Sequence, residues 1–356
     1  MFRLKQNEEE ARARLRAFWK CESFGDRPAL LVNARDKSYE RKPWRGPALS
    51  RKQQDFDPDW VVWSQLQNLR SNLYLAESIP STQVSVGGLL TLLAVLAGGD
   101  YEYESSAWIQ QWKNVLDAPV PKFDPECGAV RKLAECHRKL AEAVGDDGLV
   151  TPPVQIDALT TLSMFQNPDE TCVSLVNEPD RVKKWTRDAT ALSLDCLLYF
   201  AKLLNGMGQS GSTSWLGTFT EGVMDSVQCD FAVMLSPEMF AEFVMPNLRT
   251  WTAGMDDSIY HLDGAEQMRF IEQIATLPNM RGIQWNPAKP CDDISEFMPH
   301  FKRIRELGLC LFAWVRNVDD AVRITRELGP DGLLLGLPYF ENEEDAHDAI
   351  RRLHGF

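Results

Sequence analysis

The sequence predicts an α/β fold of the (β/α)8 TIM-barrel type, and three observations carry that reading. Apolar runs of strand length recur through the C-terminal half, each followed by an amphipathic helical segment. Those runs are continuously apolar rather than alternating, as strands of a parallel sheet buried on both faces are. Each run also stops at polar or ionisable residues, where open α/β and barrel folds place their active sites.

In chain order, Ala11–Lys20 reads as a helix and Arg27–Asn33 (RPALLVN) as the first strand. Lys37–Asp59 is polar, basic and Pro-containing, and reads as a long loop over the barrel mouth. Trp60–Leu75 reads as helical, Gly87–Gly99 (GGLLTLLAVLAGG) as a buried helix, and Ala129–Val144 as an amphipathic helix. Gly145–Pro153 is a turn-rich connection. A long helix begins at Asn177-Glu178-Pro179-Asp180 and runs to about Leu204, and Gly206–Gly217 is a Gly/Ser loop.

From there the pattern becomes regular. Val227–Leu235 reads as a strand, and Pro237–Thr252 as a helix with Phe240, Phe243, Val244, Leu248 and Trp251 on one side. The strand runs Ser258–Asp263, Arg281–Trp285, Leu309–Val315 and Gly332–Leu335 follow. Helices are expected at about Ile294–Leu307, at Val318–Leu328, and in a last segment ending at Leu353. Ser236 before Pro237, Asp293 with Glu296, Asn317 with Asp320 and Asn342 with Asp345 are the corresponding start signals. Five such units project to about eight over the chain. Residues 1–356 read as one domain, with a helical extension and loops over roughly residues 1–80.

Composition excludes some functions. The formal net charge is -13 and the pI about 5.0, so nucleic acid would be repelled. No apolar run approaches the ~20 residues that span a bilayer, and the acidic start has no signal-peptide core. Eight scattered cysteines without CxxC spacing read as reduced thiols, which makes the cytoplasm the expected location. There is no GxxxxGK[ST] phosphate loop and no GxSxG nucleophile turn. His137, His300, His347 and His354 fall on outer helices or the tail and are expected at the surface.

The candidate site gathers at the strand ends. His261 and Asp263, two residues apart on one strand, face the same way and precede Gly264. Gln284, Trp285, Arg316 and Tyr339 close the following strands, Asp230 sits within an apolar run, and Trp215 and Trp314, with Trp285, are candidate pocket walls. The bland readings stand beside these. A lone strand-end histidine is more often a hydrogen-bonded structural residue, and some of eleven tryptophans are simply core. Glu77, Glu221 and Asp157 are weaker candidates for ligand contact.

The segments QCDFAVMLSPEMFAEFVMPNLR (Gln228–Arg249), YHLDG, GIQWNP, GPDGLLLG and EEDA resemble the uroporphyrinogen decarboxylase superfamily. They are most like its corrinoid-protein-associated members and methylcobamide-dependent methyltransferases. LRAFWKCESFGDRPALLV (Leu15–Val32) and AESIP (Ala76–Pro80) extend the likeness over nearly the whole chain. It is strong between Gln228 and Gly336 and loose elsewhere.

The resemblance implies methyl transfer on a small molecule, with a methylcorrinoid reached only through a partner protein, and it admits a homodimer. Such methyltransferases hold zinc through a His-x-Cys pair and a distant Cys. Here His261 matches the His, while Asp263 and Tyr339 stand at the two Cys positions. That set is harder than a thiolate site, so a divalent metal other than zinc, held through His261 and Asp263, is the metal reading, with Cys291 the one thiolate that could swing in. An acid/base role for His261 and Asp263 is the alternative. Decarboxylation is the runner-up, with Asp230 stabilising charge and Arg316 binding carboxylate, although the RQAGR signature of true decarboxylases is missing. A non-catalytic binding protein is the third reading.

Overall fold

The computed structural model describes residues 1–356 except Ser23, Gln155, residues 287–292 and Phe356. The strands are β1 (Ala29–Arg35), β2 (Asn72–Ala76), β3 (Ser81–Gln83), β4 (Tyr101–Tyr103), β5 (Ala107–Ile109), β6 (Leu149–Thr151), β7 (Ser212–Thr213), β8 (Phe219–Thr220), β9 (Met224–Val227), β10 (Asp257–Asp263), β11 (Met280–Asn286), β12 (Cys310–Trp314) and β13 (Leu333–Gly336).

The main sheet has seven strands in the order β2-β1-β13-β12-β11-β10-β9. All neighbours from β1 to β9 pair in parallel; only β2 is antiparallel, on the far side of β1. β3 and β6 form a separate parallel pair, and β4-β5 and β7-β8 are short antiparallel pairs. The fold is therefore α/β with a largely parallel sheet. Its first strand lies beside its last, so the chain curls back on itself, but the hydrogen-bonded ladder of the described residues does not close into a ring.

Period-two alternation divides the core. Leu30, Val32, Tyr260, Leu262, Ile283, Leu311, Leu333 and Leu335 belong to the larger cluster, which includes the helices Ile294–Glu306 and Val318–Leu328. Their chain neighbours Leu31, Ile259, Phe312 and Leu334 belong to a second cluster on the other face. The C-terminal helices begin where their caps predict. Asn317 and Asn342 accept from the amides of Asp320 and Asp345, and Asp293 from that of Ser295.

Five local expectations are corrected. Val227–Leu235 is not a strand: β9 ends at Val227 and Asp230–Met234 is a 3-10 turn, whose Phe231 amide donates to Thr160 Oγ1 and Ala232 amide to the Cys229 carbonyl rather than across the sheet. Trp60–Leu75 is helical only to Arg70; the chain then reverses into β2, which pairs with β1 through Leu73–Leu75. Within Gly87–Gly99 only Leu92–Leu96 is helical. His137 is fully buried, with its ring 4.4 Å from that of Phe200 and Nδ1 bonded to the Leu133 carbonyl. Burial pushes it down to about 4. The helix expected at Pro237–Thr252 contains a widened π turn at Phe240–Val244, where Pro246 has no amide to offer the preceding turn.

Candidate active site

His261 lies on β10 opposite Gln284 on β11 in the parallel register, so both side chains leave the sheet on one face. His261 Nδ1 is hydrogen-bonded to Gln284 Oε1, and Gln284 Nε2 donates to the Trp285 carbonyl at 2.8 Å. That second bond fixes the amide: its nitrogen is committed to the backbone, so its oxygen must accept. The proton of neutral His261 therefore sits on Nδ1, and Nε2 carries the lone pair. Burial lowers the His261 pKa below the usual histidine range, with the Gln284 bond and the Asp263 charge opposing. The imidazole is a neutral base at pH 7.

Trp215 forms the wall over this histidine. Its ring meets His261 edge-on at 4.9 Å and Trp314 at 6.0 Å. The Trp215 turn is tied to the sheet through Ser214, whose Oγ accepts from Ser226 Oγ of β9 at 2.5 Å and from the Leu216 amide at 3.3 Å. Trp314 closes β12 because β13 ends in a glycine. A Cβ on Gly336 would lie 2.0 Å from Trp314 Cδ1, so the indole takes the volume a side chain would need.

Trp215 and Trp314 border a cavity of about 390 Å³, lined also by Asn33, Tyr74, Ser78 and Tyr339; His261, Asp263 and Gln284 are not among its lining residues, and His261 is joined to it through the Trp215 ring. A neighbouring pocket of about 230 Å³ shares Trp215 and Tyr74 and adds Thr151 and Ser214. No Lys, Arg, Asp or Glu is among the residues lining the first. Asn33 Oδ1 is buried there without a hydrogen-bond partner among the described residues. Tyr339 stands on the rim, about half exposed, its phenol raised by partial burial and so protonated.

A second group forms where β9 and β10 end. Asp157 caps the helix Ala158–Gln166, its Oδ1 accepting from the Leu159 and Thr160 amides at 2.9 and 3.0 Å. Asp230 accepts from Gln228 at 3.0 Å. Burial, then the charges of Asp157 and Asp263, push Asp230 up to about 7. Asp230 is thus available as an acid near neutrality.

Three expected placements do not hold. Trp285 turns to the other face of β11 and packs on Phe297 and Phe301 at 4.8 and 5.2 Å. Adjacent residues of a strand point opposite ways, so Gln284 and Trp285 could not both face the site. Arg316 is exposed in the turn before the helix Val318–Leu328 and is not among the cavity residues. Asp230 lies in a 3-10 turn rather than within a strand.

The metal expectation meets the donor set. Among the described residues no three His, Cys, Asp or Glu side chains converge to hold an ion. Asp263 shares a face with His261, while Tyr339 stands on an exposed rim; Cys291 lies outside the described residues. The described donors by themselves do not make up the four-ligand set of a resident zinc.

Trp314, a candidate pocket wall from the sequence, does line the cavity, whereas Asn33 and the Ser214–Ser226 tie gain their place only from the fold. Asp157 had a legible signal, since it precedes a helical run as an N-cap residue.

No protein-family model matches the chain, and no curated protein matches it in sequence. Among solved structures, a methyltransferase from Methanosarcina mazei superposes with a TM-score of 0.63, covering 96% of this chain and 97% of that chain at 15% identity. An HpcH/HpaI aldolase/citrate lyase family protein from Burkholderia cenocepacia reaches a TM-score of 0.26 over 62% of this chain and 78% of that chain, at 16% identity, too low to bear on the fold. The chain thus shares its fold, over nearly its whole length, with a protein described as a methyltransferase. No helix of the described residues is long and apolar enough to cross a membrane.

Proposed function

We propose that this protein is an enzyme transferring a methyl group to or from a small molecule, built as an eight-stranded β/α barrel in which β3 and β6 stand between β1 and β9. The observation that carries the catalytic part is the fixed tautomer of His261. Gln284 holds its Nδ1 proton, leaving the lone pair on Nε2 of a buried base that packs against Trp215, one wall of the aromatic cavity. The fold likeness to the Methanosarcina mazei methyltransferase supports the reaction class.

In this reading the acceptor attacks the methyl carbon, the carbon's bond to its carrier breaks, and the acceptor's proton passes to His261 Nε2. Trp215 and Trp314 hold the apolar body of the substrate and keep water out. Asn33 Oδ1 accepts one donor from it. The methyl carrier would be a corrinoid protein, acting as a second substrate. No step is routed through a metal, since among the described residues no three His, Cys, Asp or Glu donors converge.

Decarboxylation is less well supported. A polycarboxylate needs cations in its pocket, and neither Arg316 nor any other cation lines this one.

The test is to mix the protein with methylcobalamin and a panel of small thiols and amines, and to follow loss of the cobalt–carbon bond by absorbance. The wild-type protein should accelerate it with one acceptor class, and His261→Ala should lose about 100-fold or more of that rate. No acceleration by wild type, with small molecules still bound in the cavity, would establish a binding protein instead.

A further inference from the structure

We propose that Cys21 and Cys310, at the amino end of the sheet and away from the His261 cavity, are a peroxide-oxidisable thiol pair that closes into a disulfide joining the N-terminal segment to β12.

The two sulfurs lie 3.1 Å apart, although 289 positions separate them in the chain. Cys310 is the first residue of β12, and Cys21 follows the helix Glu8–Trp19. Cys21 is held at φ +55, a left-handed conformation unusual for a side-chain-bearing residue. Its own amide bonds the Phe18 carbonyl at 2.9 Å, and Cys310 Sγ reaches the same oxygen at 2.8 Å. A single carbonyl thus gathers both residues.

Their surroundings divide the labour. Arg305 Nη1 lies 3.2 Å from Cys21 Sγ and is fixed by the carbonyls of Leu309 and Gly332 at 2.8 and 3.3 Å. Gly332 leaves the room the guanidinium needs, since a Cβ there would lie 2.2 Å from Nη1. The Cys310 sulfur and then Arg305, opposed by burial, bring the Cys21 thiol down to about 6, while Cys21 and burial push Cys310 up. Cys21 also borders a cavity of about 720 Å³ that opens to solvent, whereas Cys310 is fully buried. Cys136 is pushed up to about 12 by burial, and Cys196 and Cys229 also rise. Of these five, Cys21 is therefore the thiol that hydrogen peroxide reaches as a thiolate.

The chemistry balances in two steps. The Cys21 thiolate attacks one oxygen of hydrogen peroxide; the O–O bond breaks, giving a sulfenic acid and a hydroxide that takes up a proton as water. The Cys310 sulfur then attacks the sulfenic sulfur, the S–O bond breaks, and the Cys310 proton leaves with the hydroxyl as a second water. Two thiols lose two electrons and the peroxide gains them.

The test uses the full chain, reduced and freed of reductant, then treated with stoichiometric hydrogen peroxide, alkylated and digested without reduction. A linked peptide carrying Cys21 and Cys310, two hydrogens lighter than the sum of its parts, is expected. Cys310→Ser should instead accumulate a sulfenic acid at Cys21 that dimedone traps, and Cys21→Ser should leave Cys310 alkylatable. The proposal is overturned if both thiols stay alkylatable after peroxide, if Cys21 pairs with another cysteine, or if Cys310 oxidises unaided in Cys21→Ser.

Discussion

The two ends of the sheet are built from the same strands, yet they treat charge in opposite ways. At the carboxyl end, the cavity around Trp215 and Trp314 is lined without a charged side chain, and the histidine packed behind Trp215 is buried and neutral. At the amino end, charge is buried and paired. Glu77 is fully buried, receives both Arg27 nitrogens at 2.7 and 2.8 Å and Arg14 Nε at 3.2 Å, and also accepts from the Leu30 amide. The cavity there is charged, but Arg16 is matched to Glu221 and Arg281 to Asp257. Paired buried charge orients elements and is costly to break; an unpaired, uncharged polar group such as Asn33 Oδ1 keeps bonding capacity for something outside the protein. The difference separates the end that holds the fold from the end where a ligand fits.

Substitutions should respect that division. Glu77→Ala leaves two buried arginines without their counter-charge, and should cost on the order of 3–5 kcal/mol in urea unfolding. A loss below about 1 kcal/mol would mean the network is not structural. At the other end, His261→Ala should lower turnover about 100-fold or more, with a far smaller change in the unfolding midpoint. Activity should depend on the neutral imidazole, whose folded pKa is lowered. The acid limb of the rate profile should therefore fall below the ordinary histidine value of about 6.5, and a limb above it would contradict the burial argument.

Asp225, a buried carboxyl outside that paired network, adds a pH dependence of stability. It is buried on β9, its carboxylate accepts from the Ser226 amide, and burial pushes it up to about 7. A carboxyl whose folded pKa is raised binds its proton more tightly in the folded state. Stability must then fall as pH rises from about 4 through about 7. Asp225→Asn should remove that fall and stabilise the protein on the order of 2 kcal/mol at pH 8 while changing little at pH 4. Equal effects at both pH values would refute the assignment. The smallest expected effect is that of Gln284→Leu, which removes the acceptor that fixes the His261 tautomer. Turnover should drop roughly tenfold, about 1.4 kcal/mol. Unchanged turnover would show that the tautomer is not catalytically important.

Much of the C-terminal half was legible because each element announces itself locally. The strand runs of β10 to β13 are short and apolar, and Asn317 and Asn342 carry the side-chain oxygens that cap the next helix. The N-terminal half was not. β3 and β6 are three residues each and β7 two, too short for any periodicity to register. Leu73–Leu75 continued a helical pattern, and only pairing with β1 made it a strand. His137 looked like a surface residue until the helix Pro179–Gly206 placed Phe200 against its ring.

By itself, the sequence determined the α/β class, the strands and caps of the C-terminal half, and the shared direction of His261 and Asp263, because backbone geometry and nearest-neighbour chemistry set these. Only the tertiary structure decided that Gln284 meets His261 while Trp285 joins the helix layer, that Arg316 stays outside the cavity, and that Cys21 meets Cys310. Each of these depends on register between strands, or on contact between residues far apart in the chain, and the side-chain period alone fixes neither.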